Sequence, residues 1–213
     1  MKKVTRVIIG LVIGISGYSF AARVIDIPGS PNDRSISESG ALPNGLNMRA
    51  GNYPAGNTNG QNSTLMFELP VLREGKTVSA ATLTFYVSSV TGAPSFNADL
   101  YGIAFDKKVP AKYYEGPFAA DQDGSVGLQD DIMTPSAVVG PCSASSEGNK
   151  NITEWIRGFY TANPDYKGGT FAIFRMSPDA DSGANAGYGI AQGGTAGKEM
   201  RLSLTITDAT ETN

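Results

Sequence analysis

Aromatic residues in an irregular part of the chain are the first candidates for a binding function. The segment KYYEGPF (residues 112–118) has two adjacent tyrosines and is bracketed by prolines. Prolines restrict the backbone, and adjacent rings in one loop cannot both point into one core. A Tyr ring with polar neighbours suits the apolar face of a sugar. The sequence therefore predicts sugar contacts in this segment; the alternative is that these rings cluster over their own loop. The candidates, which include two tyrosines elsewhere in the chain, are Tyr113, Tyr114, Phe118, Tyr101 and Tyr188.

Two acidic loops are candidates for calcium binding. SPDADSG contains Asp179 and Asp181, and DQDGSVGLQDD (residues 121–131) contains four more aspartates. Calcium takes about six to eight oxygen ligands, which alternating carboxylates in a tight loop can supply. Neither loop matches the EF-hand pattern, which needs a distal Glu at a fixed place. A calcium site at Asp179 and Asp181 is the prediction, and a solvated acidic turn is the alternative.

The composition excludes several kinds of active site. The chain has no histidine, which excludes Ser-His-Asp triads, Cys-His pairs and His-ligated zinc. Its single Cys142 has no partner for an internal disulfide; it is interpreted as a small buried hydrophobe, with a reactive thiol or a dimer link as alternatives. A glycosidase or lyase would need two carboxylates across a cleft, and no motif pairs them. We therefore predict a protein without catalytic residues.

The first 21 residues have the layout of a secretory signal peptide. A basic start with Lys2, Lys3 and Arg6 precedes a short apolar run, and Ser19 and Ala21 occupy the −3 and −1 positions of a cleavage site. The apolar run is shorter than the roughly 20 residues of a membrane span. We expect cleavage after Ala21, a secreted or cell-surface protein, and no membrane insertion of the mature chain.

The mature chain is mildly acidic. Losing three positive charges and no negative one changes the formal net charge from −3 to −6. Nucleic-acid binding needs clustered Lys and Arg, so nucleic acid is not an expected partner. The length fits one domain, expected at 22–208, with a frayed tail at 209–213.

Most of the chain reads as strands and Gly-rich turns. AATLTFYVSS is the clearest strand, because Leu83, Phe85 and Val87 alternate with polar residues. Residues 106–147 read as a long irregular stretch. Seven to nine strands and one helix predict an all-β jelly-roll β-sandwich. The other expected strands lie near residues 23–27, 45–49, 65–69, 95–105, 168–176, 186–192 and 198–208.

One segment, NITEWIRGFY, predicts a short amphipathic helix that covers the core. Asn151 and Glu154 have the spacing of a capping box. Ile152, Trp155, Ile156 and Phe159 form one apolar stripe. We expect Trp155 to be mostly buried at the open end of the sandwich; an exposed Trp that stacks on a ligand is the alternative.

Three segments together resemble a known family. They are STLMFELPVLREGKTVSAATLTFYVSSV, NITEWIRGFYTANPDYKGGTFAIFRM and GKEMRLSLTIT. They are similar to the DNRLRE-type domain, a family of secreted bacterial and archaeal jelly-roll domains related to carbohydrate-binding modules. The resemblance covers about the last 150 residues, mostly core and cap positions. It implies glycan binding or a surface-associated structural role.

These patterns lead to one expected function and two alternatives. The first is a secreted, non-catalytic protein that binds a polysaccharide or cell-surface glycan. The second is a structural or adhesive surface protein that self-associates. It is favoured because binding modules usually sit beside a catalytic domain, and we expect none in this chain. The third and weakest is a polysaccharide hydrolase or lyase.

Overall fold

The computed structural model describes residues 22–37, 40–41, 47–52, 60–107, 125–180 and 186–209. These ranges contain twelve strands and one helix, more strands than the seven to nine expected. The extra strands include two inside the stretch read as irregular. In chain order the elements are β1 (Arg23–Pro28), β2 (Arg34–Ser37), β3 (Gly40–Ala41), β4 (Asn47–Asn52), β5 (Gly60–Glu68), β6 (Lys76–Thr91), β7 (Ala98–Asp106), β8 (Val126–Met133), β9 (Gly140–Ser143), α1 (Ser146–Ala162), β10 (Phe171–Pro178), β11 (Gly187–Ala191) and β12 (Arg201–Asp208).

The strands form one curled antiparallel sheet. Its order is β1-β12-β6-β11-β4-β5-β10-β7-β8, with β9 beside β6 and with β2 joining β5 to β3. The two halves meet at β4 and β5, which pair, among the described residues, at Gly51↔Gln61 and Asn52↔Gly60. Apolar side chains of both halves face each other across the core. This arrangement confirms the predicted all-β, jelly-roll-like fold with one helix.

Alternation along the strands places their apolar residues in the core, as the sequence predicts. Leu83, Phe85 and Val87 of β6 are at most 1% exposed. On the opposite face of β5, β10 and β7 lies a second apolar cluster. Met66 belongs to it and is 3% exposed. Its buried members are Ile36, Met66, Ile103 and Ile173.

The helix begins earlier than predicted. Its N-cap is Ser145, whose Oγ accepts a hydrogen bond from the Gly148 N–H at 3.0 Å. Asn151 is therefore not the cap but lies inside α1, where its amide donates to the Leu128 carbonyl at 2.9 Å. The capping-box interpretation of Asn151 and Glu154 is wrong, because a serine six residues earlier already satisfies the first turn.

The helix covers an open edge of the sheet. Asn149 Oδ1 accepts a hydrogen bond from the Leu83 N–H at 3.0 Å, and Thr153 Oγ1 accepts one from the Ala81 N–H at 2.8 Å. Arg157 donates to the Val78 carbonyl at 2.9 Å. Side chains of α1 thus replace a neighbouring strand along β6, which removes an edge that would otherwise invite pairing with another chain.

Trp155 packs against the core. Its ring stacks on Phe105 at 4.2 Å between centroids and meets Phe174 edge-on at 5.1 Å. The side chain is half-buried, less enclosed than the sequence predicts. With both neighbours aromatic, Trp155 joins the helix to β7 and β10, and this packing argues against a role as a free stacking platform.

Candidate functional site

The structure separates the predicted sugar contacts. Tyr113, Tyr114 and Phe118 lie outside the described residues. Tyr188 is 0% exposed, its hydroxyl donates to the Phe96 carbonyl at 2.7 Å, and burial raises its pKa to about 12. Tyr188 is therefore a core residue and cannot stack on a sugar. The described candidate that reaches the surface is Tyr101.

Tyr101 lies on the outer face of β7. It is half-buried against the second apolar cluster, and the Arg175 guanidinium carbon is 5.1 Å from its ring centroid. Its hydroxyl is 3.5 Å from Asp99 Oδ2. Cation–π contact and burial hold this ring in place, so Tyr101 acts in the described structure as a support for β7 and β10.

Asp179, one of the two predicted calcium ligands, lies near aspartates of the other acidic loop. Asp130 and Asp131 of β8 and Asp179 after β10 all raise the pKa of Asp99, although burial of Asp99 is the largest cause. We call these four carboxylates the acidic corner. The sequence placed Asp179 and the Asp130–Asp131 pair in separate loops, and β-sheet pairing through β7 brings them to one end of the sheet. Asp181 lies outside the described residues.

The acidic corner is not arranged as a ligand shell. Asp99 Oδ1 accepts a hydrogen bond from the Asp131 N–H at 2.8 Å, and Asp179 Oδ1 accepts one from the Asn97 N–H at 3.0 Å. In the described part of the chain no three Asp, Glu, Cys or His side chains are grouped to hold a metal ion. Calcium binding at Asp179 and Asp181 stays a prediction.

A groove beside β1 is a concave site that combines polar and apolar walls. It encloses about 660 Å³, which is within the usual range for ligand sites. One wall is β1 and the turn after it; the other is the segment that follows β5, with the start of β10. We call it the β1 groove; its lining includes Asp26, Pro28, Asn32, Glu68, Val71 and Phe171.

The turn that forms part of one wall of the β1 groove is held by a buried carboxylate. Asp33 is 0% exposed; its Oδ1 accepts from the Met66 N–H at 2.6 Å and its Oδ2 from the Gly193 N–H at 3.2 Å. Burial raises the pKa of Asp33 well above its usual value, although both backbone N–H groups oppose the shift. Asp33 thereby ties the turn after β1 to β5 and to the loop before β12.

A second contact makes this turn rigid. The Gln192 amide donates to the Pro31 carbonyl at 2.6 Å and to the Asp33 carbonyl at 2.8 Å. Gly193 lies against the backbone of Gly29, where a β-carbon would overlap it. The groove is therefore preformed, and a ligand need not order the loop on binding.

The lining suits an uncharged, polyhydroxylated ligand. The carboxylates of Asp26 and Glu68 can accept hydrogen bonds, and the amide of Asn32 can both accept and donate them. Pro28, Val71 and Phe171 offer apolar contacts. Val71 is 54% exposed. None of the described lining residues is basic, so a strongly anionic ligand would meet repulsion. Asp26 accepts a hydrogen bond from Ser203 Oγ at 2.6 Å, which holds its carboxylate at the rim.

Sequence reasoning missed the β1 groove because its walls are distant along the chain. Residues 25–32 and 68–71 meet only after β1 pairs with β12 and β5 packs across the core. The turn IPGSPND was a local signal, since a Pro- and Gly-rich turn with an Asp marks a structured loop.

The comparisons with known proteins do not assign this site. No protein-family model matches the chain, and no curated protein matches it. The described residues contain no helix that is long and apolar enough to cross a membrane.

Proposed function

We propose that this chain is a secreted, non-catalytic protein that binds an uncharged polysaccharide in the β1 groove. The observation that carries the proposal is the combination of Asp26, Asn32 and Glu68 with apolar walls beside a turn that Asp33 and Gln192 hold in place. Sugars have hydroxyls for the polar groups and C–H faces for the apolar walls. Secretion follows from the signal-peptide pattern of residues 1–21.

Binding in this groove is expected to be weak. Phe171 is the one aromatic side chain of the described lining, and a single ring contributes about 0.5–1.5 kcal/mol beyond its buried area. We therefore expect dissociation constants of about 1 μM to 1 mM for oligosaccharides in the β1 groove.

The test is a titration of the mature protein with neutral oligosaccharides of the cello-, laminari-, manno- and chito- series. Glu68→Gln should weaken binding about tenfold, because it removes a charge-assisted acceptor. Glu74→Gln is the matched control, since Glu74 is exposed outside the groove. If Glu68→Gln and Glu74→Gln bind with equal affinity, the binding site lies outside the β1 groove. No binding to any glycan would contradict the proposal.

Because two carboxylates line the groove, the oligosaccharide samples from the titration should also be tested for hydrolysis. Asp26 and Glu68 could in principle act as an acid–base pair. A non-catalytic protein releases no new reducing ends from the oligosaccharide that it binds. Reducing-end release that Glu68→Gln abolishes would replace the binding proposal with a glycosidase.

Self-association is the second candidate function. In the described sheet β1 is the terminal strand and pairs only with β12, and an open strand edge can pair with another copy. Light scattering over a range of concentrations tests it. A mass that rises with concentration, without any glycan binding, would favour the structural role.

A further inference from the structure

The wall of the β1 groove opposite β1 leaves the sheet at a proline. Strand β5 ends at Glu68, and the Leu69 N–H still donates to the Thr170 carbonyl at 2.9 Å. Pro70 has no N–H with which to continue this pairing, yet residues 68–71 go on to line the groove. We call residues 68–71 the groove wall. Because Leu69 is only 2% exposed, its carbonyl needs a donor from the protein.

Two tyrosine hydroxyls supply donors to the groove wall. Tyr160, in the last turn of α1, donates to the Pro70 carbonyl at 2.7 Å. Tyr166, after the helix, donates to the Leu69 carbonyl at 3.1 Å, and its oxygen also lies 3.3 Å from the Thr170 carbonyl. The Tyr166 hydroxyl accepts from the Thr170 N–H at 3.0 Å. Neither tyrosine belongs to the described lining, so the groove wall is held from outside the groove.

Aromatic packing fixes the two tyrosine rings. Phe159 meets Tyr160 edge-on at 5.3 Å and Tyr166 at 5.1 Å between ring centroids. On its other side, Phe159 stacks on Phe105 at 4.5 Å, and Phe105 stacks on Trp155. Such contacts between rings stabilise one geometry. The hydroxyls that hold the groove wall are therefore connected to the hydrophobic core through packed rings.

The Tyr160 hydroxyl keeps its proton. Burial, and after it the neighbouring Tyr166, raises the pKa of Tyr160 above its usual value. The usual pKa of tyrosine, about 10, is already well above neutral pH. The hydrogen bond that Tyr160 donates to the Pro70 carbonyl is therefore insensitive to pH near neutrality.

We infer that Tyr160 and Tyr166 are positioning residues for the β1 groove, and that their hydroxyls fix the distance between the groove wall and β1. The inference rests on the proposed function, since it concerns the same ligand site. Without these hydroxyls two carbonyls of the wall would turn toward solvent, and a ligand would have to order the wall when it binds. Ordering a segment on binding lowers affinity. The end of α1 thus contributes to binding although it does not contact the ligand.

The experiment is a calorimetric titration of the mature protein with cello-, laminari-, manno- and chitopentaose. Tyr160→Phe and Tyr166→Phe keep the rings and remove the hydroxyls. Each should weaken binding about threefold to tenfold, the equivalent of one hydrogen bond. Tyr188→Phe is the matched control, because its hydroxyl donates to the Phe96 carbonyl, also at 2.7 Å, outside the groove. It should lower stability and leave affinity unchanged.

A double-mutant cycle separates positioning from general destabilisation. Glu68→Gln should weaken binding much less than tenfold in the Tyr166→Phe background, because its carboxylate is then displaced with the groove wall. In the Tyr188→Phe background Glu68→Gln should keep its full effect. Hydrogen exchange measured by NMR on the free protein is the second measurement. Tyr166→Phe should speed exchange of the Thr170 N–H, which loses its acceptor.

The outcomes distinguish this inference from the proposed function. Tyr160→Phe and Tyr166→Phe variants that are folded by circular dichroism and bind like the parent would overturn the inference, as would an equal loss of affinity in Tyr188→Phe. In both cases binding that Glu68→Gln weakens would leave the proposed function standing. If Tyr166→Phe does not fold, Tyr160→Phe decides alone. A parent that binds none of the oligosaccharides would overturn the proposed function and the inference together.

Discussion

Gly102 lies beneath the indole of Trp155, where there is no room for a side chain. A β-carbon there would be 2.6 Å from Trp155 Cε2, far inside the usual separation of about 3.5–4.0 Å between carbon atoms. Gly102 therefore determines how closely α1 approaches β7, and the stacking of Trp155 on Phe105 depends on it.

Gly102→Ala should lower the free energy of unfolding by about 1–3 kcal/mol, the usual cost of overpacking. Gly127→Ala is the matched control, because a β-carbon at that strand glycine meets nothing within 4 Å. Urea unfolding of both variants measures the difference. Equal stability would mean that the indole can move aside without cost.

Trp155→Ala should cost about 3 kcal/mol, at the lower end for a core aromatic because the ring is half-buried. The native protein should show indole emission shifted to the blue of free tryptophan, since Phe105 and Phe174 cover the ring. Emission typical of full water exposure in the folded protein would contradict this packing.

Asp33 should make stability depend on pH. Its folded pKa lies above its unfolded value because burial disfavours the carboxylate. The stabilising contribution is fully present below the unfolded pKa and is lost as pH rises through the folded pKa. The urea midpoint of the parent protein should therefore fall as pH rises from below the unfolded pKa of Asp33 to above its folded pKa.

Asp33→Asn removes the titration and is the comparison variant. Its amide keeps an acceptor for the Met66 N–H but presents a donor to the Gly193 N–H. It should be less stable than the parent in acid by about 1–3 kcal/mol, and the difference should narrow as pH rises. A constant difference at every pH would show that Asp33 does not titrate in this way.

At the scale of elements, α1 acts as a substitute strand for β6. Its polar side chains satisfy backbone groups of Val78, Ala81 and Leu83, and its apolar residues Ile152 and Ile156 are 0% exposed. Polar and apolar residues of one helix thus serve the same strand. An amphipathic stripe alone would predict only the apolar contact.

Thr153→Val should destabilise the protein by about 1–3 kcal/mol, because the buried Ala81 N–H loses its acceptor while the volume is kept. Thr161→Val, on the exposed side of the same helix, removes only a hydroxyl bonded to the Arg157 carbonyl and should change stability little. Chemical denaturation of the pair tests the edge contact. A similarly small loss of stability in both variants would contradict the role of α1 as a substitute strand for β6.

At the scale of the whole molecule, the curled sheet brings distant aspartates to the acidic corner. If calcium binds at Asp179 and Asp181, as the sequence predicts, excess calcium should stabilise the folded protein by mass action and raise its melting temperature. At one hundred times the dissociation constant the gain in stability is about 2.7 kcal/mol. Scanning calorimetry in calcium and in chelator measures it. Asp179→Asn should remove the gain, and Asp165→Asn, at an exposed aspartate after α1, should keep it. No shift for the parent protein would exclude calcium.

The sequence by itself determined the properties that depend on near neighbours. Alternation along β6 predicted which side chains are buried, because side-chain direction in a strand changes with every residue. The absence of histidine excluded whole classes of active site. The helix was recognised from its stripe, although its start was misplaced because Ser145 lies in a polar run without periodicity.

Only the tertiary structure decided which distant residues meet. It buried Tyr188, grouped Asp99 with Asp130, Asp131 and Asp179, and built the β1 groove from two segments far apart in the chain. These outcomes depend on strand order and register, which long-range pairing and core packing determine and which no local pattern records.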